Sequence, residues 1–413
     1  MVIWRLSGFL TGMLLVLSLT ICGDVQSQSL ADALDYSKIG VHTLLDDGRN
    51  YWVPEAWAAH MDYAAAISGP GGITVQVIRA DDMRVNKWQH FMDHARDRDL
   101  TPVLRLATTF DRDNGVWNPP ATDEFGTYLD WGQRYAAFIN GLVWPDPSAK
   151  HVIILNEPNN GHEWGRRPDP VAYAQFFAQV ADTLKREVPG VVILNGAIDL
   201  YAPDTGTQPF PNSDTYFINA ANFMDAMVAA VPDVFDYVDV WNSHSYPMHT
   251  FTAAPWERDY HFDVMHDAPP MTDNPPDRVL NRGINGYEWE LWKLESYGVD
   301  TSALPIMITE TGWRHNAGDA DSADYMAGYP SPERAAQYLD MAMRGNLDGR
   351  YPDAPPEGWL PWLADERVVG VAYFALDGVP WEWSHTNLLI VAENGDILGA
   401  HAHYEVLAGY FMD

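Results

Sequence analysis

The chain has 413 residues, 47% hydrophobic and 20% charged, which is ample for a buried core and excludes a disordered chain. Lys plus Arg number 25 against 57 Asp plus Glu, a formal net charge of -32. Such a surface repels phosphate backbones and anionic membranes, so nucleic acid is not expected as a partner. It also disfavours a polyanionic substrate unless arginines cluster locally.

The first 27 residues read as a targeting segment. Arg5 sits in a short n-region, and Phe9 to Ile21 forms an apolar run too short for a membrane span. Val25-Gln26-Ser27 offers small residues for cleavage. Leu19-Thr20-Ile21-Cys22 is similar to a bacterial lipoprotein box, except that Ile21 stands where a small residue is usual. Secretion is therefore expected, with lipid anchoring through Cys22 at the cell surface as the alternative. Cys22 is the single cysteine, so stability has to come from the core rather than from a disulfide. No later stretch is long and apolar enough to span a bilayer.

Eight short segments rich in Val, Ile and Leu follow, at Ile39–Leu45, Ile73–Arg79, Thr101–Ala107, His151–Asn156, Val191–Ala197, Val238–Ser243, Pro305–Thr309 and Val368–Phe374. Near-continuous apolar strands of this kind suit a parallel sheet covered on both faces. The stretches between them carry helical periodicity. Val85, Trp88, Phe91, Met92 and Ala95 share one face, as do Tyr173, Phe176, Phe177, Val180 and Leu184. Asp169-Pro170 and Ser331-Pro332 pair a capping residue with a first-turn proline. Eightfold strand–helix alternation predicts a single-domain α/β fold over 28–413, a (β/α)8 TIM barrel. An open doubly wound sheet is the rival, but Gly40-Val41-His42 lacks the Gly-rich phosphate loop that such sheets carry after the first strand.

Long connections follow strand 3 (110–123), strand 5 (200–212), strand 6 (247–279) and strand 7 (315–330). All leave the C-terminal ends of strands, the face where barrel enzymes build their sites.

Two motifs carry chemistry. Ile153-Ile154-Leu155-Asn156-Glu157-Pro158-Asn159 runs a buried strand into a carboxylate, and Ile306-Met307-Ile308-Thr309-Glu310-Thr311-Gly312-Trp313 does the same. Charged groups are seldom placed at the end of a buried strand for stability, because an ionised carboxylate is costly to desolvate. Each glutamate taken singly could cap a helix or pair with an arginine. On strands 4 and 7, across the mouth of a barrel, the two can converge. Two converging carboxylates are what glycoside hydrolysis needs: one protonates the leaving oxygen, and the other attacks or activates water.

With these motifs the chain resembles the clan A glycoside hydrolases, cellulase-type (β/α)8 retaining enzymes, through Asn156-Glu157-Pro158 and Thr309-Glu310. The resemblance implies Glu157 as acid/base, Glu310 as nucleophile, and Asn156 on the sugar 2-hydroxyl. It also implies His244 near substrate or the acid/base and Tyr246 on Glu310, both from Trp241-Asn242-Ser243-His244-Ser245-Tyr246, and Arg79 near the nucleophile. The chain departs from cellulases proper after strand 3, where Ala107-Thr108-Thr109-Phe110 has no His. It departs again after strand 8, where Tyr373-Phe374-Ala375-Leu376-Asp377 has no Trp. These departures leave the sugar open.

The chain holds 17 Trp, and Trp117, Trp164, Trp256, Trp313, Trp381 and Trp383 fall in the top-face loops. Flat indole faces stack on pyranose rings, so Trp164, Trp313 and Trp381 are expected sugar platforms, with loop packing the alternative for each. No cofactor and no catalytic metal are expected. His42 stands without the His-x-His of metal-dependent barrels, and Asp319, Asp321 and Asp324 fail the EF-hand pattern. No Gly-x-Ser-x-Gly and no Walker loop occur. The expectation is a monomeric retaining β-glycoside hydrolase acting on a carbohydrate. Its rivals are a non-catalytic carbohydrate-binding barrel and a transglycosidase that uses the same glutamates.

Overall fold

A computed structural model describes residues 33–49, 51–257, 282–317, 328–355 and 359–412. The targeting segment, Cys22, most of the long strand-6 connection, and Asp319, Asp321 and Asp324 lie outside the described residues. Among the described residues, no helix is long and apolar enough to cross a membrane.

Eight parallel strands form the centre: β1 (Ile39–Thr43), β2 (Ile73–Arg79), β3 (Thr101–Ala107), β4 (Lys150–Ile154), β5 (Val191–Asn195), β6 (Trp241–Ser243), β7 (Ile306–Thr311) and β8 (Val368–Tyr373). They pair in sequence order, and β1 meets β8. The remaining gap, between β5 and β6, is bridged by a parallel Leu194–Val240 pair. Asn195 and Asn242 reinforce it, each side chain bonding the other's backbone. The sheet is therefore a closed (β/α)8 barrel, as the strand–helix alternation predicts.

Eight helices surround it: α1 (Trp57–Ser68), α2 (Val85–Asp97), α3 (Leu129–Gly141), α4 (Pro170–Glu187), α5 (Ala220–Ala230), α6 (Tyr287–Ser296), α7 (Pro332–Arg344) and α8 (Ala402–Gly409). The expected caps form. Asp169 accepts from the Ala172 amide at 2.9 Å and Ser331 from the Arg334 amide at 3.3 Å, starting α4 and α7. Trp88, Phe91, Met92 and Ala95 of α2 are buried, as are Tyr173, Phe176, Phe177, Val180 and Leu184 of α4.

The alternation of side chains along each strand creates two cores. Ile39, Val41, Ile78, Leu104, Leu106, Ile154 and Ile308 face outward into the layer shared with the helices. Ile73, Val75, Val103, Ile153, Leu194, Val240, Met307 and Ala372 fill the barrel itself. This interior packing closes the lower barrel, so access is from the C-terminal ends of the strands. Around that mouth, the connection after β3 adds a small antiparallel pair, Phe110–Asp111 with Val116–Trp117. A second pair, Leu389–Val391 with Ile397–Ala400, precedes α8.

Candidate active site

At the C-terminal mouth lies a cleft of about 590 Å³, within the range that holds a small ligand. Asn156, Glu157, His244, Tyr246 and Glu310 all line it. Five of the residues expected from the sequence thus come together, from three different strands.

Glu157 stands three residues beyond the end of β4. Leu155 and Glu157 take positive φ values of 65° and 33°, a region costly for residues with a Cβ, of order 1–3 kcal/mol each. The Leu155 amide donates to Leu106 and the Glu157 carbonyl accepts from Asn160, which holds this turn. Immediately downstream, a Cβ on Gly161 would collide with the carbonyl oxygens of Arg166 and Tyr216, so only glycine lets the following loop approach.

Glu310 is inside β7 rather than past its end, and its carboxylate meets several partners. Arg105 Nη1 donates to Oε1 at 2.5 Å, and His42 Nε2 lies 3.7 Å from the same oxygen. Tyr246 Oη donates to Oε2 at 3.3 Å, with His244 Nδ1 at 3.7 Å. His244 Nδ1 lies 2.8 Å from Glu157 Oε1, so the imidazole joins the two glutamates. One oxygen of each carboxylate and a His244 nitrogen all lie within 4.8 Å of one another.

The electrostatics split the pair. Burial holds the Glu157 carboxyl up at about 7, with Asp199 adding to the rise and His244 opposing it. Burial would raise Glu310 as well, but His244, Arg105, His42 and the Tyr246 hydrogen bond outweigh it and hold it below the ordinary glutamate range. His244 is itself raised: burial opposes its charge, and Glu310 and Glu157 overcome that opposition. The hydrogen bond thus joins two groups that are both held above their ordinary values. Burial pushes His42 down to about 3, with Arg105 adding to the fall and Glu310 opposing it.

Glu157, His244 and Glu310 could together offer a cation two carboxylates and an imidazole. The same oxygens already accept from Arg105 and Tyr246, and His244 Nδ1 already faces Glu157, so a cation would compete with those bonds.

Three expected site residues fall elsewhere. Arg79 does not reach Glu310. In the β2–β3 register it stands opposite Ala107, one inward-facing level above Arg105, which stands opposite Val77. At that height it meets carboxylates of the rim, Asp81 at 3.1 Å and Asp46 at 3.5 Å. Trp313 is fully buried, donates to the Ala253 carbonyl at 2.7 Å and packs near Trp362 and Tyr338. Trp164 is buried edge-on to Tyr173 of α4. Both indoles belong to the outer core and not to the cleft. Trp381 sits in the short helical turn Pro380–Trp383, and its side chain lies outside the described residues. Trp117 and Trp383 do line the cleft, whereas Trp256 packs against Tyr338 and Trp359.

Sequence reasoning missed Arg105, Glu163, Asp199, Arg49 and Arg314, which also line the cleft. Arg105 had a legible signal: it interrupts the apolar run of β3, two residues from inward-facing Val103, and a buried guanidinium needs a partner. Glu163 lies in the loop after β4. Burial raises its carboxyl to about 7, with Arg105 and Arg49 opposing.

No protein-family model matches the sequence, and none of the curated proteins matches it. Among solved structures, the chain is similar to a family 1 β-glucosidase from Thermotoga maritima, at 12% identity and a TM-score of 0.46, covering 86% of this chain and 85% of that one. A rice β-glucosidase, Os3BGlu6, is 11% identical with a TM-score of 0.48, covering 91% and 98%. A family 113 β-1,4-mannanase is 11% identical with a TM-score of 0.43, covering 90% and 97%.

Proposed function

We propose that the protein is a secreted retaining β-glycoside hydrolase of the clan A type. The observation that carries the reading is the Glu157–Glu310 pair, with oxygens within 4.8 Å and opposite protonation tendencies. Retaining enzymes hold their carboxyl groups about 5–5.5 Å apart, and inverting ones about 6.5–9.5 Å, so the close spacing favours double displacement.

In the first step the ionised Glu310 attacks the anomeric carbon as the glycosidic C–O bond breaks. Glu157 gives its proton to the departing oxygen, leaving a glycosyl ester on Glu310. In the second, Glu157, now a carboxylate, takes a proton from water. The water oxygen attacks the anomeric carbon and the ester bond breaks, regenerating Glu310. Tyr246 and Arg105 hold Glu310 ionised and oriented, and His244 positions Glu157. Asn156, whose buried Oδ1 has no hydrogen-bond partner among the described residues, is placed to take the sugar 2-hydroxyl.

The test is an activity screen on aryl β-glycosides and β-glycans, followed by NMR of the first anomer released. Release of the β-anomer first supports the reading. First release of the α-anomer, or binding without turnover across the panel, overturns it. Net transfer to an added acceptor sugar would identify a transglycosidase working through the same first step.

A further inference from the structure

We propose that Arg314 forms an anion subsite in the cleft, taking a carboxylate or sulfate carried by the sugar beside the cleaved bond. This rests on the glycosidase reading above and names the substrate class of that same site.

Three arginines line the cleft of a chain in which acidic residues outnumber basic ones 57 to 25. Arg105 is bonded to Glu310, and Arg49 pairs with Asp47 at 3.0 Å, its guanidinium near the Phe110 and Trp383 rings. Arg314 makes no ion pair among the described residues. Its Nη1 reaches only the Tyr329 hydroxyl, at 3.4 Å, and its Nε is buried without a hydrogen-bond partner. The side chain is nevertheless fixed. Its backbone amide donates to the Phe251 carbonyl at 2.9 Å, and its guanidinium lies 4.9 Å from the Phe251 ring centroid. Phe251 in turn stacks on Tyr246 at 4.2 Å, the residue that donates to Glu310. The guanidinium is therefore built into the same aromatic stack that orients the proposed nucleophile, with donors left over.

A guanidinium with no carboxylate partner among the described residues meets an anion best when the substrate brings it. A carboxylate or sulfate can take two parallel charge-assisted hydrogen bonds from that fork, whereas a neutral hydroxyl offers a weaker contact.

The test compares aryl β-glucuronide with β-glucoside, β-galacturonide with β-galactoside, and 6-O-sulfo-β-galactoside with β-galactoside. In at least one pair the anionic member should have a kcat/KM about tenfold or more above its neutral partner, as one charge-assisted contact implies. Arg314→Gln should cut that ratio about tenfold, mainly through KM. Arg314→Lys, which keeps the charge and loses the fork, should fall between. Whether uronides or the sulfate ester lead identifies the anion. A neutral preference in every pair overturns the subsite, as does an equal loss on both members in Arg314→Gln. Should no aryl glycoside be cleaved, the glycosidase reading fails by itself. Calorimetric binding of methyl β-glucuronide against methyl β-glucoside then decides the subsite: tighter binding of the glucuronide that Arg314→Gln abolishes supports it, and equal binding overturns it.

Discussion

Glu157 and Glu310 stand at equivalent places in the barrel, each at the C-terminal end of an apolar strand, and their surroundings could hardly differ more. Around Glu310 the structure gathers Arg105, His42, His244 and the Tyr246 hydroxyl, all of which favour a carboxylate. Around Glu157 it sets Asp199 and apolar burial, with His244 alone in opposition. The same side chain is thus pushed toward opposite protonation states within one cleft, which is how paired carboxylates divide acid and nucleophile roles. Position in the strand brings a carboxylate to the mouth. Its neighbours decide what it does there.

The largest way to break this contrast is to remove its ionised member. Glu310→Ala should lower kcat on the order of 10⁴-fold or more, and added azide should partly restore turnover by replacing the missing nucleophile. Retention of more than about a tenth of the activity would reverse or void the assignment.

Glu157→Gln should cost about 10²–10⁴-fold on glycosides with sugar leaving groups. It should cost far less on a dinitrophenyl glycoside, whose leaving group needs no proton. Equal losses on both substrates would remove Glu157 from the acid role.

Arg105→Met sharpens the comparison from the other side. Breaking a buried pair leaves Glu310 without its closest cation, at a cost of about 3–5 kcal/mol in denaturant unfolding. Without that cation the ionised form of Glu310 is less favoured, so the acidic limb of kcat/KM should move to higher pH. An unmoved limb would show that Arg105 does not hold Glu310 ionised.

The smallest effect concerns Asp199. In the proposed mechanism Glu157 must be protonated to act as the acid, so activity should fall as pH rises through its value of about 7. Asp199→Asn removes a negative charge that favours the protonated form, and the alkaline limb should move to lower pH, with a loss of about threefold at pH 7. A shift to higher pH would contradict the arrangement.

How much of this was legible follows from the range of each signal. The strands and the glutamates are local: an apolar run ending in a carboxylate is visible in a few consecutive residues, and Glu157 and Glu310 needed nothing more. His244 and Tyr246 were legible only through the resemblance carried by the motif that closes strand 6. Arg79 misled because it ends an apolar strand just as the glutamates do, while its height in the barrel is set by the β2–β3 register. Trp313 and Trp164 misled because nearness in sequence is not nearness in space. Trp313 follows β7 but packs in the helix layer, beside Tyr338 of α7 and Trp362.

The sequence by itself determined the barrel and the two carboxylates, because side-chain periodicity and burial act along the chain and are written in residue order. Only the tertiary structure decided which arginine meets Glu310, that Asp199 stands near Glu157, and that Arg314 lines the cleft without an ion-pair partner among the described residues. Those are interactions between residues far apart in sequence. Their strength depends on strand register and on distances of a few ångströms, which no local pattern encodes.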